Sequence, residues 1–181
     1  MTPSSGGLTV NASSNYNVVA GSATQLIVLL PGQTHNQGQI NLAAAVTGVP
    51  TTQTAGSAFT VTVKAVDAAF NTATGESGAV SVAADDANDT HPAASTFASG
   101  VRSFSVTNVT AGTRNITPTS GGLTANNSSN YTLNPGSATQ LIVVMPGQSY
   151  VPGVASLGAA VTGTPTAQTS AVGYSVDVRA V

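Results

Sequence analysis

An all-β fold built of repeated units is predicted by three observations on this sequence. Residues 2–66 return as residues 117–181, shifted by 115 positions without a gap, with about 38 of the 65 aligned pairs identical. A fixed period of this kind marks an array of like units. Short runs of Val, Thr, Ile, Phe and Ala alternate with polar residues and are broken by Gly, Pro, Asn and Ser, the pattern of half-buried strands joined by turns. No stretch shows a helical period.

The elements follow in order from that alternation. Residues 23–30 are the first expected strand. Its run Leu26-Ile27-Val28-Leu29-Leu30 is apolar on both faces, which suits an ordinary first strand of a sandwich, or one covered from both sides or lying where two domains meet. Residues 31–56 are punctuated by Gly and Pro and are expected to turn; within them Leu42-Ala43-Ala44-Ala45-Val46 suits either a strand or a short turn of helix. Residues 57–66 place Phe59, Val61, Val63 and Ala65 on one face and Thr60, Thr62 and Lys64 on the other, because side chains alternate across a strand. Further strands are expected at 78–84, 94–98, 101–109, 112–118 and 129–133, with Phe104 and Val106 inward and Arg102 outward or at an edge. Seven or so short strands in about 100 residues suit a two-sheet sandwich. Each large apolar side chain buried in it contributes roughly 1.5 to 3 kcal/mol.

Divided by its period, the chain holds the C-terminal tail of a preceding unit (1–21), one complete unit (22–134) and the N-terminal part of a following unit (135–181). Because the pattern starts at Thr2 and breaks off in mid-unit at Val181, the chain is expected to be a window on something longer, with Met1 a cloning start. Between units, Tyr131-Thr132-Leu133 leads through Asn134-Pro135-Gly136-Ser137 into Ala138-Thr139-Gln140-Leu141. Few free residues remain there and Pro135 fixes its own φ, so neighbouring units are expected to form a stiff rod.

Composition narrows the function. The chain carries 4 Lys plus Arg and 6 Asp plus Glu, 6% charged residues in all and a net charge of -2, against a typical charged fraction of about 25%. Lys64, Arg102, Arg114 and Arg179 are scattered, so no basic stripe exists to neutralise phosphates, and nucleic acid is a poor partner. About a quarter of the residues are Ser or Thr, so hydroxyls and amides supply solubility, as in many secreted and surface proteins. Cysteine is absent, which removes disulfides and thiolate metal sites and leaves the compartment open. No apolar run approaches the length of a membrane span, so no membrane insertion is expected.

The ending of one strand leads into Asp85-Asp86-Ala87-Asn88-Asp89. Asp85, Asp86 and Asp89 are candidate calcium ligands, since clustered oxygens suit that ion, with Asp67 and Asn71 in another loop. The spacing fits no known calcium loop, and Asp and Asn are also ordinary turn formers. His35 and His91 are the only histidines and Glu76 the only glutamate. With no Gly-x-Ser-x-Gly elbow or His-Glu-x-x-His pair, no catalytic site is expected. Asn-x-Ser/Thr sequons begin at Asn11, Asn88, Asn108, Asn115, Asn126, Asn127 and Asn130, open to glycosylation in a suitable host. Phe59, Phe97, Phe104 and Tyr174 are expected in the core. Tyr16 and Tyr131, which are equivalent in the repeat, and Tyr150, which stands where the first copy has His35, are the aromatics left to stack on a sugar.

Residues 55–71, Ala-Gly-Ser-Ala-Phe-Thr-Val-Thr-Val-Lys-Ala-Val-Asp-Ala-Ala-Phe-Asn, are followed by Ser77-Gly78-Ala79-Val80-Ser81-Val82 and Ala84-Asp85-Asp86. Further on stand Phe97, Gly100-Val101-Arg102-Ser103-Phe104-Ser105-Val106 and Ala111-Gly112-Thr113-Arg114-Asn115-Ile116-Thr117. Together they resemble the bacterial immunoglobulin-like tandem repeats of large surface adhesins. The second copy departs from the pattern, with Ser170-Ala171-Val172-Gly173-Tyr174 in place of Ala55-Gly56-Ser57-Ala58-Phe59. The resemblance implies immunoglobulin-like β-sandwiches in tandem and an extracellular, cell-surface stalk or fibre without catalysis. Its implied partners are neighbouring repeats or identical chains and a host or matrix glycan. Two alternatives stand beside it: a self-assembling filament subunit whose incomplete domain is completed by a neighbouring chain, and a carbohydrate-binding module appended to an enzyme.

Overall fold

Strands form where the alternation places them in a computed structural model that describes Gly6 and residues 13–181. The first layer is a four-stranded sheet. Strand β1 (Gln25–Leu29) leads through the short β2 (Thr34–His35), α1 (Leu42–Ala45), β3 (Val46–Thr47) and β4 (Gln53–Thr54) to the long β5 (Phe59–Val66). β1 runs antiparallel to β5 with Leu26 opposite Ala65 and Val28 opposite Val63. After β6 (Ala79–Ala84) and β7 (Ser95–Thr96), β8 (Val101–Val106) joins the far edge of β5, setting Phe104 opposite Val61 and Val106 opposite Phe59.

The chain then crosses to the other side of the core. β9 (Gly112–Arg114), β10 (Ile116–Thr119), β11 (Thr124–Ala125) and β12 (Tyr131–Asn134) follow in order. β11 pairs in parallel with β1 and closes the first sheet, while β10-β6-β7 and β4-β12-β9 form two three-stranded sheets. One core joins them: Leu26, Val28, Phe59, Val61, Val63, Phe104 and Val106 meet Val80, Val82, Ile116 and Tyr131. The expected single strand at 112–118 is two strands of different sheets. Asn115 divides them, donating its backbone N–H and its Nδ2 to the Asp85 carboxylate, so the chain is pinned where it changes sheet. Pro118, which has no N–H to give, sits in β10 at the edge of its sheet, the place where proline does not break a ladder.

The second apolar face of β1 has its own cover. Ile27 packs with Ala45, Val66 and Phe70 in a smaller core under α1. The Leu42–Ala45 segment is helical because the side chain of Asn41 accepts a hydrogen bond from the Ala44 N–H at 2.9 Å, a cap at the start of a single turn. Phe70 reaches this core from a left-handed backbone, φ 57°. The Asp67 carboxylate fixes that turn by accepting from the backbone N–H groups of Ala69 and Asn71, each at 2.9 Å.

Beyond Pro135 the first elements return: β13 (Leu141–Val144), β14 (Ser149–Tyr150), α2 (Leu157–Ala160), β15 (Val161–Thr162) and β16 (Asp177–Ala180). Leu141 stands opposite Ala180 and Ile142 opposite Arg179, which is the β1–β5 register moved by 115 positions. On the side of the small core, Ile142 and Ala160, the counterparts of Ile27 and Ala45, are buried again. On the other side the residues are open. Leu26 is 0% exposed and its counterpart Leu141 is 72% exposed; Val143, Val176 and Val178 are likewise open. Tyr174, expected in the core as the counterpart of Phe59, is exposed for the same reason: among the described residues nothing lies across this face. No helix among the described residues is long and apolar enough to cross a membrane.

Candidate functional site

Asp85, Asp86 and Asp89 lie in the loop after β6, and each carboxylate is already occupied by hydrogen-bond donors. Asp85 binds Asn115 as described above. Asp86 accepts from the Thr110 N–H at 2.7 Å, the Thr110 hydroxyl at 2.9 Å and the Asn88 N–H at 3.0 Å, with the Arg114 guanidinium 3.8 Å away. Burial pushes the Asp86 carboxyl up, but the Asn88 and Thr110 donors and the Arg114 charge hold it below the usual value. Asp89 accepts from the Val109 N–H at 2.8 Å and from Asn108 Nδ2. Burial, with the neighbouring Asp86 charge, raises Asp89.

This is a polar clasp of two loops, in which N–H and O–H donors engage all three carboxylates. Among the described residues no group of three or more His, Cys, Asp or Glu is placed to hold a metal ion. Asn108 is central to the clasp: fully buried, it also accepts from the Tyr131 hydroxyl at 2.7 Å, and its backbone carbonyl accepts from the Gly56 N–H. Burial, together with the Asp89 and Asp85 charges, raises the Tyr131 phenol. Two sequence expectations are corrected here. The Asn108 sequon has no accessible nitrogen in the folded unit, and Tyr131, 3% exposed, offers no face to a sugar ring. Asn11 lies outside the described residues. Asn126 donates to Gln25 Oε1 and the Leu26 carbonyl.

The clasp also forms the junction between units. Asn88 Nδ2 reaches the Pro152 carbonyl at 3.4 Å across the boundary. Gly153, at φ 76°, abuts Thr110 so closely that an added Cβ would overlap it. Gly136, just past Pro135, lies against the Ala55 carbonyl. The two units therefore meet directly, beside the Pro135 link.

A second pair distinguishes the copies. His35 Nε2 lies 2.8 Å from the Phe70 carbonyl and Nδ1 lies 3.3 Å from Lys64 Nζ, so Nε2 carries the proton and Nδ1 accepts from the ammonium. In the following unit both residues change, and the Arg179 guanidinium lies 5.0 Å from the centre of the Tyr150 ring. The contact survives with different chemistry, as a cation over an aromatic face.

Burial lowers the His35 pKa, the Phe70 carbonyl offsets part of that, and the Lys64 charge lowers it further. A folded value below the unfolded one, about 6.5, means that the unfolded chain takes up the proton first. The contribution of His35 to stability is therefore present above that pH and is lost as pH falls toward the folded value. Thermal melts at pH 7.5 and 5.5 are expected to show this loss, and His35→Tyr, which copies the second unit, is expected to remove its share of the slope. Asp67 and Asp86 titrate below this window, since their hydrogen bonds hold both lower than usual despite burial.

Composition points to Asp86 and Asp89, but Asn108, Thr110 and Arg114 carry no mark in a single sequence; the pattern of changes at 35 and 64 does, as two contacting positions that differ together between copies. No protein-family model matches the chain, and no curated protein matches it.

Proposed function

We propose that the chain is a structural segment of a long extracellular repeat protein, the stalk or fibre of a bacterial surface adhesin, built from immunoglobulin-like β-sandwiches and without a reaction of its own. The observation that carries this reading is the return of the β1–β5 register in β13–β16 next to a direct junction at Asn88, Thr110, Pro152 and Gly153. Units that restart in register and touch across a short Pro link transmit force along an axis, as a rod does, because neither backbone rotation nor a long linker absorbs it. His35, the better placed of the two histidines for chemistry, has both nitrogens engaged by Phe70 and Lys64.

The open apolar face of residues 137–181 supports a second reading, a self-assembling subunit whose incomplete sandwich is completed by another chain. The size of the native polypeptide separates the two. A denaturing gel, with identity checked by peptide mass spectrometry, is expected to show a band many times larger than 17.7 kDa. A native band at 17.7 kDa would overturn the shaft and leave the subunit.

A further inference from the structure

We infer that Asn130 is a site of N-linked glycosylation on the outer face of the complete unit, an inference that rests on the extracellular reading above. The fold separates the Asn-x-Ser/Thr sequons by what each amide already does. Asn108 is fully buried and bonded to Asp89 and Tyr131. Asn115 donates to Asp85, Asn126 to Gln25 and the Leu26 carbonyl, and Asn88 to Thr110 and the Pro152 carbonyl. A sugar on any of these nitrogens would crowd a bond that ties two segments together. Among the described residues this leaves Asn127 and Asn130, both exposed and both without a hydrogen-bond partner for the amide.

The other half of the sequon separates these two, because transfer to asparagine needs the hydroxyl two positions on. For Asn127 that hydroxyl is Ser129, whose Oγ accepts from Gln33 Nε2 at 2.9 Å. The residue between them, Ser128, is buried and accepts from the Ile116 N–H at 2.8 Å. For Asn130 the hydroxyl is Thr132, exposed and without a side-chain partner. Side chains alternate along an extended chain, so Asn130 and Thr132 share one face while Tyr131 between them turns into the core. That face is polar. Thr132 stands opposite the exposed Thr113 of β9, and Asn134 continues the row, so a bulky sugar there stands over hydroxyls and amides.

The repeat contains its own control. Thr132 corresponds to Asn17, so Asn15-Tyr16-Asn17 has the same asparagine and tyrosine without the hydroxyl and is no sequon. In the transfer, Asn130 Nδ2 bonds to the anomeric carbon of a sugar activated by pyrophosphate. The bond from that carbon to the phosphate oxygen breaks, the pyrophosphate leaves with the electron pair, and one Nδ2 proton passes to a base on the transferase; nothing is oxidised or reduced. In a chain with 6% charged residues, the attached sugar adds hydration that side-chain charge does not supply.

Peptide mass spectrometry of the protein from the cells that produce it tests the site. Trypsin cuts after Arg114 and Arg179, so residues 115–179 leave as one peptide holding the sequons at Asn115, Asn126, Asn127 and Asn130, and electron-transfer fragmentation places the sugar among them. The expected result is sugar on Asn130 and none on Asn15, with the Asn130 sugar lost in Thr132→Ala and kept in Thr132→Ser. Both variants are expected to fold, since the Thr132 hydroxyl bonds to nothing. A single hexose on Asn130 identifies a nucleotide-linked donor, and a preassembled oligosaccharide a lipid-linked one. Four results overturn the proposal. Sugar on another sequon with Asn130 bare shows that free amide and hydroxyl groups do not select the site. Sugar that persists in Thr132→Ala is a modification of another kind. Bare Asn130 in protein recovered from the cell surface removes the site and leaves the extracellular reading standing, whereas bare Asn130 in protein found only inside the cell ends both.

Discussion

Asn108→Ala is expected to destabilise the complete unit by roughly 2 to 4 kcal/mol, lowering its melting temperature by several degrees for each kcal/mol. The side chain is 0% exposed, and it serves two partners at once, the buried Tyr131 and the half-buried Asp89. Its Nδ2 donates to Asp89 and its Oδ1 accepts from the Tyr131 hydroxyl. Truncation leaves the buried hydroxyl without an acceptor and takes one donor from the Asp89 carboxylate, which keeps the Val109 N–H. An unmade buried hydrogen bond costs more than a made one contributes, so the damage lies in the orphaned partners.

That asymmetry has a second, sharper consequence. Tyr131→Phe removes the hydroxyl itself, and added to Asn108→Ala it is expected to cost less than the sum of the two single losses, because the group stranded by the first change is deleted by the second. Urea melts of the four proteins measure this coupling. Strict additivity would mean that Asn108 acts by filling space and that the clasp is not a network.

The same residues show where the sequence is readable. Alternation of period two separates Phe59, Val61 and Val63 from Thr60, Thr62 and Lys64, and the structure buries the first set because a pleated strand leaves its side chains no other arrangement. The helix at Leu42–Ala45 was open because four residues carry no period; a single contact, Asn41 to Ala44, decides it. The break at Asn115 was hidden because the donors that pin it find their acceptor on Asp85, 30 positions earlier in the chain.

Asp85, Asp86 and Asp89 were visible as acidic residues, but apart from the Asn88 N–H their donors arrive from residues 108–115, and only the fold brings these together. Tyr174 was misplaced for a different reason. Alternation tells which side chains share a face and is silent on whether anything covers that face.

Leu26→Ala and Leu141→Ala make that distinction measurable, since they are the same substitution at equivalent positions of the repeat in the same strand register. Leu26 is sealed between two layers, and its truncation is expected to cost about 3 to 5 kcal/mol, the transfer term plus the cavity left among Val63, Phe104 and their neighbours. Leu141 is 72% exposed, so its truncation removes little apolar area from a buried state and, in dilute monomer, is expected to change the main unfolding transition by less than about 0.5 kcal/mol.

Concentration then becomes the informative variable. A face covered by a second copy gains stability with protein concentration by mass action, so on the self-assembly reading the Leu141→Ala penalty grows as the protein is concentrated while the Leu26→Ala penalty stays constant, and on the shaft reading both stay constant. Thermal melts over a wide concentration range read both slopes. A large Leu141→Ala effect in the most dilute sample would mean that the face is covered within a single molecule, and neither a following unit nor a neighbour would be needed to bury it.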